Sequence, residues 1–532
     1  MCWCAPIATA PVAGGRFPPP SLRCRRRRGR SVRADASPEP VDTQRKKVAV
    51  AGAGWAGLAA AHHLVKQGYE VTLLGAESGP TEEIGLRGFW YPYRNIFSLV
   101  DELGISPFTG WTKAAYYSSQ GLAVEFPIFH DQPRLPAPFG MLTYPEFPSL
   151  PLIDRLTSIP VMAAVIDFNN TDTAWMKYDA MSARDLFKMF GCSQKLYKEI
   201  FQPAIQAALF APGEQCSAAA TLGMLVPTSL AINKDTACIS GIVCGEEVHE
   251  ADAFVLANGL SSLQYIIKNS PFLQSRQEFV NLLHLSTIDV VSIKLWFDKK
   301  ITIPKVANVC SGFDDPSRWT FFDLTSIYDD YADKSTTIVE AEFYNASHLL
   351  PLNDEQIVSE ASSHLIKCIQ DFEEATVIQQ LVRRSPKSTM HFLPGSYKYT
   401  VRGSTTLPNL FIAGDWIVNR HGSFSKEKAY VTGLEAANRV VDYFGDGDFA
   451  KIIAVEEDEP HIETARNLNR RANELKTQIP FSDIYSNMSI QIYSQRDQRV
   501  SSDIEGHGLN GGVPHRRIYN ITPALQMSAS FP

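Results

Sequence analysis

A strand, a glycine-rich turn and a helix follow one another in residues 46–74, KKVAVAGAGWAGLAAAHHLVKQGYEVTLL. The turn carries Gly52, Gly54 and Gly57 in the spacing GxGxxG. In dinucleotide-binding folds the first glycine permits the tight turn, the second lets the backbone approach a pyrophosphate, and the third lets helix and strand pack closely. The free N–H groups at the start of the helix then face the phosphates. The stretch therefore predicts a dinucleotide-binding unit, the alternative being a glycine turn with a purely structural role.

The first 34 residues differ in charge from the rest of the chain. They hold eight of its 50 basic residues, all of them arginine, and none of its 57 acidic residues. An arginine-rich, acid-free stretch with Ser and Pro is typical of an organellar transit peptide and not of a folded element. We therefore expect residues 1–34 to be a transit peptide that ends near Ala34. The protein would then work in the chloroplast, in the stroma or on the thylakoid or envelope membrane. The alternative is a disordered basic tail.

Composition beyond this segment excludes several classes of protein. With the eight arginines removed, 42 basic residues face 57 acidic ones, a net charge of −15, so no nucleic-acid partner is expected. Six of the nine cysteines remain, scattered and without metal-ligand spacing, which predicts free thiols and no metal site. No apolar run is long enough to span a membrane. Residues 147–168 are strongly apolar and are predicted to be buried, the alternative being contact with a bilayer surface.

A second strand and helix of this kind lie near the C-terminus. NLFIAGDW predicts a buried strand ending in Gly414 and Asp415, and KAYVTGLEAANRVVDYF predicts a helix that carries Gly433. An acid at the carboxyl end of a late strand can hydrogen-bond hydroxyls on the ribityl or pyrophosphate side of a cofactor, in the crevice at the switch point of the sheet. Asp415 is predicted in this role, or else as a helix cap. The partnership of the two units indicates FAD in place of NAD.

Between these units, alternation and turn residues predict strands at 253–257, 287–298 and 336–343, with a hairpin before the first. A helix is predicted from Asp354 to about Ile369, helical structure over 181–225 with Ser182 as an N-cap, and a charged helix over 451–476. Residues 107–170 read as irregular, and 481–532 as poorly ordered.

These segments resemble the flavin-containing amine oxidoreductase superfamily, and within it the plant and cyanobacterial phytoene and ζ-carotene desaturases. The resemblance runs from about Lys46 to Phe444 and is carried by VAVAGAGWAGLAAAHHL, EEIGLRGFWYPYRNIFSLVDELGI, VVSIKLWFDKKI, NLFIAGDWI and AYVTGLEAANRV.

The resemblance implies an α/β protein with a two-domain, discontinuous, Rossmann-like FAD-binding fold and a mixed α+β substrate domain. The FAD-binding domain is predicted at 45–97, 226–265 and 400–445, the substrate domain at 98–225 and 266–399, and a C-terminal helix with a poorly ordered tail at 446–532. FAD is the expected cofactor. The residues predicted to hold it are Gly52, Gly54, Trp55, Ala56, Gly57, Glu77, Gly414, Asp415 and Gly433.

The chain departs from the family pattern at three places. Gly75 stands where an acid normally binds the ribose hydroxyls, about twenty residues after the first glycine, and Glu77 is predicted to replace it. Gly79-Pro80-Thr81 replaces a Gly-Gly-basic turn. At 223–230 the family has several tens of additional residues, so this form is predicted to be shortened and its activity impaired.

The resemblance further implies hydride transfer from a lipophilic substrate to the flavin, with no acid–base pair required and no catalytic residue identified. The alternatives are an FAD-dependent amine oxidase and a non-catalytic flavin-fold binding protein. An amine oxidase would need a water-positioning lysine. Lys294 is a candidate, but its alternating strand predicts a solvated side chain. His421 is predicted near the flavin, Trp90 and Trp416 either beside the cofactor or in the core, and His62 and His63 in structural roles.

Overall fold

The computed structural model describes residues 3–6, 45–75, 88–90, 92–119, 121–128, 131–133, 150–169, 171–223, 241–244, 247–310, 313, 318–332, 335–455 and 460–477. The chain divides into two units, Met1–Arg466 and Asn467–Pro532. In the second unit the described residues, 467–477, are the end of a helix. All strands and all other helices of the described part lie in the first unit.

Two larger sheets and a small hairpin contain the described strands. These are β1 Trp3–Pro6, β2 Lys47–Ala51, β3 Glu70–Gly75, β4 Ala114–Ser118, β5 Gly121–Phe126, β6 Gly241–Cys244, β7 Glu247–Glu250, β8 Ala253–Leu256, β9 Ser286–Phe297, β10 Ala307–Cys310, β11 Arg318–Asp323, β12 Thr337–Tyr344, β13 Val377–His391 and β14 Leu410–Ile412. β6 and β7 form the hairpin, which leads into β8 as the sequence predicts.

The helices of the described part are given next in chain order. They are α1 Trp55–Lys66, α2 Arg94–Leu103, α3 Leu152–Leu156, α4 Ile159–Asp167, α5 Asp172–Asp179, α6 Ala183–Met189, α7 Gln194–Leu196, α8 Gln202–Leu209, α9 Ala218–Gly223, α10 Leu260–Lys268, α11 Pro271–Gln274, α12 Gln277–Leu282, α13 Leu324–Ile327, α14 Asp329–Ala332, α15 Asp354–Cys368, α16 Lys426–Phe444 and α17 Pro460–Thr477. A π-helical turn, Tyr197–Phe201, joins α7 to α8, and 3₁₀ turns lie at Gln370–Glu374 and Tyr397–Tyr399.

The first sheet has the strand order β1-β3-β2-β8-β14, and β3, β2, β8 and β14 run parallel. These strands come from three separate stretches of the chain, which confirms the discontinuous Rossmann-like fold. Val48, Val50, Val255 and Phe411 pack with α1 and α16 in one hydrophobic cluster on a face of this sheet. A parallel sheet covered by helices places its ligand beyond the carboxyl ends of the strands.

One edge of this sheet is formed by a strand that the sequence did not predict. Residues 3–6, which lie in the predicted transit peptide, form β1 and pair antiparallel with β3. Without this pairing β3 would be an edge strand with unpaired backbone groups, and such an edge readily accepts another strand. The transit-peptide assignment itself stays a prediction, and residues 7–44 lie outside the described residues.

The second sheet is mixed, with seven strands in the order β13-β9-β12-β11-β10-β4-β5. The predicted strands at 287–298 and 336–343 are confirmed as β9 and β12, and the helix from Asp354 as α15. The sequence missed the hairpin β4–β5, in a region read as irregular, and it missed the long edge strand β13. Polar and proline-containing stretches at the margins of a sheet give weak periodicity, because half or more of their residues face solvent.

Within the apolar stretch 147–168, the described residues 150–168 are only partly buried, so the assignment to the core is half wrong. Val161, Ala164 and Phe168 lie in the core, whereas 70% of Ile153 and 55% of Ile159 are exposed. One face of α4 is therefore buried and the other points outward, and Ile153 and Leu156 of α3 are both exposed. Within the described residues, no helix is long and apolar enough to cross a bilayer.

Candidate functional site

The glycine turn has the geometry that its spacing predicts. Gly52 has φ +113°, in the region that side chains disfavour, and a Cβ there would lie 2.4 Å from the carbonyl oxygen of Ala257. A Cβ on Gly57 would lie 1.7 Å from the carbonyl oxygen of Gly52. Both positions therefore require glycine for close backbone packing.

Gly54 has the opposite surroundings. A Cβ built on it would meet nothing within 4 Å, so the side of the turn on which Gly54 lies is open. Gly54 is the N-cap of α1, where no side chain of the described residues caps the helix and no acid lies in the first turn. Uncapped N–H groups at the positive end of a 12-residue helix form an anion site. The geometry of the turn thus leaves room for the predicted pyrophosphate.

The two other turn residues contribute mainly through their backbones. Ala56 is buried in the cluster between the sheet and its helices, with its carbonyl next to Gly433. Trp55 is half-buried, and its ring lies edge-on to Phe89 at a centroid distance of 6.0 Å. Trp55 therefore borders the outer side of the turn.

The carboxyl ends of β2, β8 and β14 converge next to this turn. The amide of Ala257 donates to the carbonyl of Ala51 at 2.7 Å, and the amide of Ala413 donates to the carbonyl of Leu256 at 2.9 Å. This register places Gly52, Asn258 and Gly414 side by side. Although Oδ1 of Asn258 is buried, it accepts no hydrogen bond from the described part of the chain. A buried acceptor of this kind costs free energy until a donor reaches it, so it fits a ligand hydroxyl.

Sequence reasoning missed Asn258. The available signal was an Asn-Gly pair directly after a buried apolar strand, at the same position relative to β8 as Gly414-Asp415 has to β14.

Gly414 and Asp415 lie where the sequence predicts, at the end of β14. Gly414 has φ +145°, and its amide donates to Oγ1 of Thr432 at 3.0 Å, so the loop is tied to α16. Asp415 is half-buried. Burial raises the pKa of its carboxyl to about 6, against the opposing effects of the Lys428 charge and of the backbone amides of Asp415 and Trp416.

Lys428 is the charged partner of this loop, and the sequence did not single it out. Its side chain is 3% exposed, and Nζ donates to the carbonyl of Ser423 at 2.9 Å. Burial lowers the pKa of Lys428 to about 8, although the charges of Asp415 and Glu435 act in the opposite direction. Asp415, which is half-buried, and Lys428, which is buried, therefore influence each other's charge, and burial brings the pKa of each group closer to neutral pH.

Gly433 has a packing role. A Cβ on it would lie 2.1 Å from the carbonyl oxygen of Ala56 and 2.9 Å from Cβ of Ala59. Gly433 thus lets α16 pack directly on α1, which carries the phosphate-binding turn. Its effect on a cofactor is exerted through this helix pair.

Of the remaining candidates, Glu77 lies outside the described residues, and Gly75 ends β3. Trp416 is buried and donates from Nε1 to the carbonyl of Asn258 at 3.1 Å, which joins the loops after β14 and β8. Trp90 is 58% exposed. The predicted join at 223–230 falls almost entirely on residues outside the described part.

The histidines have structural partners. Nε2 of His63 lies 2.9 Å from the carbonyl of Asp448, as its structural assignment requires. His421 follows the Asp415 loop, but its ring nitrogens contact Oδ1 of Asn419 at 3.1 Å and the carbonyl of Ile453 at 3.3 Å. Burial lowers the pKa of His421, so the neutral ring is favoured. Its role is therefore to hold the segment around Ile453.

The solvated position predicted for Lys294 is wrong. Its side chain is only 8% exposed, and Nζ lies 5.2 Å from the ring centroid of Trp296 and 5.8 Å from that of Tyr331. Alternation along β9 does separate two faces, but residues on both of them are buried. An alternating pattern indicates which residues share a face and not whether that face meets water.

A buried carboxylate joins α16 to the start of α2, and we call this set of hydrogen bonds the brace. Glu427, in the first turn of α16, accepts hydrogen bonds from the amide and the Nδ2 of Asn95 at 2.8 and 2.7 Å and from the amide of Ile96 at 3.0 Å. It thereby caps the N-terminus of α2. Asn95 also exchanges hydrogen bonds with the backbone of Ile453. This brace was not visible in the sequence, because its members are about 330 residues apart.

Two family models match the chain. Residues 232–441 match "Flavin containing amine oxidoreductase", and residues 50–103 match "NAD(P)-binding Rossmann-like domain". Similar curated proteins include the 15-cis-phytoene desaturase of Capsicum annuum, 22% identical over 77% of this chain and 80% of the relative. The 15-cis-phytoene desaturase of Synechococcus elongatus is 23% identical over 74% of this chain and 96% of the relative.

Solved structures share the fold at low identity. Cyclohexylamine oxidase from Brevibacterium oxydans has a TM-score of 0.56 and 12% identity, and covers 75% of this chain and 100% of its own. A putrescine oxidase variant has a TM-score of 0.53 and 15% identity, and covers 75% and 99%. The solved structures confirm the fold. The family models and the desaturase relatives confirm the resemblance to the flavin-containing amine oxidoreductases and the oxidoreductase class.

Proposed function

We propose that this chain, an oxidoreductase of the flavin-containing amine oxidase and carotene desaturase type, binds FAD and oxidises a lipophilic compound. The observation that carries the proposal is the crevice beyond β2, β8 and β14. There the open face at Gly54, the unsatisfied Oδ1 of Asn258 and the half-buried Asp415 meet at adjacent strand ends. A phosphate site and two hydroxyl acceptors in one crevice fit a long dinucleotide.

Each group has a defined task toward the cofactor. The N-terminal amides of α1 would hold the pyrophosphate, and Gly54 would let it approach the backbone. Asn258 and Asp415 would accept hydrogen bonds from hydroxyls. When bound, FAD supplies the acceptor for a hydride from the substrate, and the protein positions the two reactants. The family match extends over both β8 and β14, which supports FAD over a nicotinamide cofactor.

Among the described residues of the crevice, Asp415 is proposed to bind a cofactor hydroxyl and Lys428 anchors the loop, and we assign neither of them to acid–base catalysis. His421, the histidine nearest to the crevice in sequence, is held neutral by burial and engaged by structural partners. Desaturation removes hydrogen from the two carbons of a carbon–carbon bond. This reaction depends on orientation of the substrate and exclusion of water more than on a group that carries a proton. This supports a substrate of the desaturase type, in line with the phytoene desaturase relatives.

One observation favours the second candidate, an FAD-dependent amine oxidase. Lys294 is buried on the face of the second sheet that is opposite α15, and an enzyme of this kind is predicted to need a water-positioning lysine. Against it, Lys294 lies directly across from Glu340 in the sheet register, and this carboxylate accounts for a buried ammonium without any substrate.

Reconstitution of the full chain with FAD tests the proposal. We expect a bound flavin spectrum, followed under anaerobic conditions by bleaching with a carotenoid and not with a primary amine. Bleaching by amines, with release of peroxide in air, would establish the second candidate. If no flavin is retained, the chain is a non-catalytic flavin-fold protein, as the predicted shortening would explain.

A lipophilic substrate must reach the chain from a membrane or a carrier, and α3 and α4 offer a surface for this contact. The exposed fractions of Ile153, Leu156 and Ile159 are 70%, 49% and 55%. Burial of such side chains at a lipid surface contributes about 1.5–3 kcal/mol each. The double variant I153S/I159S should lose co-sedimentation with galactolipid vesicles. The control I378S, at a position 59% exposed on β13, should retain it.

The plastid is the proposed location. The arginine-rich, acid-free first 34 residues support it, and so do the chloroplastic plant relatives. Import of the full chain into isolated chloroplasts, with cleavage near Ala34, is the expected result. Failure of a fusion of residues 1–34 to direct a reporter protein into plastids would remove this support.

A further inference from the structure

The central strands of the second sheet have two different faces, both of which are buried. The outer face packs on α15 and is apolar, with Val291, Ile293, Leu295, Val339, Phe343, Trp319 and Phe321. The inner face of the same strands carries polar side chains, namely Ser292, Lys294, Thr320, Glu340 and Glu342, each at most 8% exposed. Polar groups are costly to bury, so a polar face inside a protein requires partners.

The sheet register arranges these side chains in two rows. Glu342 lies directly opposite Ser292 on one side and Thr320 on the other, and Glu340 lies opposite Lys294. Part of the first row is satisfied internally. The hydroxyl of Tyr344 donates to Oε2 of Glu342 at 2.7 Å and lies 3.3 Å from Oγ1 of Thr320.

The uncharged side chains of Ser292 and Gln206 make no hydrogen bond to the described residues. Oγ of Ser292, at one end of the first row, is buried. Both amide atoms of Gln206, which is 1% exposed, are buried as well. Gln206 lies on α8, which packs against β10 and β11, and β11 carries Thr320 of the same row. Buried polar groups left unsatisfied on the sheet and on the helix that packs against it are groups that a polar ligand would satisfy.

The inner face is joined to the flavin crevice by aromatic contacts. Phe210, one helical turn after Gln206, has φ +59°, a strained conformation for an aromatic residue. Its ring lies 4.5 Å from that of Tyr344 and 5.1 Å from that of Phe424, which follows the Asp415 loop. Phe210 therefore lies between Tyr344, next to the polar row, and Phe424, in the segment that follows Asp415.

We infer that Gln206 and Ser292 bind an uncharged oxygen function, a hydroxyl or a carbonyl, on the substrate. The substrate of this chain would then be an oxygenated lipophilic compound and not a pure hydrocarbon. The inference rests on the proposed function, since it names the class of substrate for the same site.

The chemistry of the face selects this class. A glutamine amide and a serine hydroxyl each donate and accept, so together they satisfy either a hydroxyl or a carbonyl. The charges of the face balance, because Glu340 and Glu342 are matched by Lys294 and by Arg383, which lies opposite Ser292. A charged substrate group would disturb this balance, whereas a neutral one leaves it unchanged.

Binding of matched polyenes tests the inference. The probes are β-carotene, its dihydroxy derivative zeaxanthin and its diketo derivative canthaxanthin, each titrated in detergent against the full chain with bound FAD. Induced circular dichroism of the polyene reports binding without reference to catalysis. We expect the oxygenated probes to bind about tenfold tighter than β-carotene, which corresponds to about 1.4 kcal/mol. The dihydroxy and diketo arms tell whether a donor or an acceptor is preferred.

The variants Q206L and S292A should remove this preference by lowering the affinity for the oxygenated probes. S292T, which keeps the hydroxyl, should retain it. Q264L is the matched control: Gln264 donates to the carbonyls of Leu282 and Leu285 at 2.8 Å, so its loss should lower stability and leave the preference unchanged.

Equal binding of all three probes, tighter binding of β-carotene, or no binding of any polyene would overturn the inference. So would a preference that survives in Q206L and S292A. Failure of FAD to bind is a separate result that refutes the proposed function, because the dichroism of the polyene is recorded equally well on the chain without flavin.

Discussion

Gly433 and Gly54 allow the packing and the ligand-binding roles of the glycines to be separated by experiment. In G433A the new methyl group would lie 2.1 Å from the carbonyl oxygen of Ala56. Since an ordinary contact needs at least about 3.4 Å, α16 must move away from α1 by about 1.3 Å. The clash is with backbone, so rotation of a side chain cannot relieve it.

Two opposing terms determine the magnitude. Alanine is favoured over glycine in a helix interior by about 1 kcal/mol. Overpacking costs about 1–3 kcal/mol, and this contact belongs at or above the upper end because it displaces a whole helix. We therefore expect G433A to lose about 2 kcal/mol of unfolding free energy. G54A meets no atom within 4 Å and has φ −81°, so its unfolding free energy should change by at most about 1 kcal/mol, from the poorer N-cap.

The affinity for FAD should be sensitive to G54A, the variant that changes the stability least. The methyl group of G54A enters the open space at the start of α1, and the affinity for FAD should fall at least about tenfold, or 1.4 kcal/mol. Urea unfolding of both variants without flavin, followed by titration with FAD and detection of flavin fluorescence, measures the two effects. Unchanged stability of G433A, or wild-type FAD affinity of G54A, would refute the assignment of these two roles.

Four further outcomes follow from side chains that are wholly or partly buried. E427A removes three hydrogen bonds, including two from Asn95, and should lower the unfolding free energy by about 3 kcal/mol in urea titrations; a loss below 1 kcal/mol would contradict the brace. Because the Asp415 pKa is raised to about 6, folding binds a proton between pH 4 and 6. The contribution of Asp415 to stability therefore falls as pH rises through this range, and the slope should disappear in D415N. Because the Lys428 pKa is lowered to about 8, its contribution rises with pH above 8, as unfolding between pH 8 and 10 would measure. Burial raises the pKa of the Cys216 thiol to about 12, so it should resist a disulfide reagent at pH 8 until urea unfolds the chain.

Much of the cofactor crevice could be predicted from the sequence. The roles of Gly52 and Gly57 follow from local spacing, since a tight strand–turn–helix passage imposes the same backbone demands in any such fold. The sequence also placed Gly414 and Asp415 at the end of a late buried strand, and the comparison with known families confirmed the class of protein. These features depend on residues a few positions apart, where conformational preferences act directly.

Other parts of the site depend on contacts between distant segments. Asn258 acquires a role only because β8 lies between β2 and β14. Gly433 was predicted beside the cofactor, and its neighbour turned out to be Ala56, on a helix nearly four hundred residues earlier. Lys428 reads as an ordinary polar residue in the first turn of a helix, yet it is buried against the backbone of Ser423.

The inner face of the second sheet shows most clearly which features the sequence determines and which depend on the tertiary structure. The sequence by itself determined that β9 alternates, and hence that Ser292 and Lys294 share one face opposite Ile293 and Leu295. It predicted that Lys294 is solvated. Only the tertiary structure decided that this face is buried, because a period of two assigns side chains to faces and carries no information about what packs on them. Burial turned a solvated surface into a polar layer within the protein.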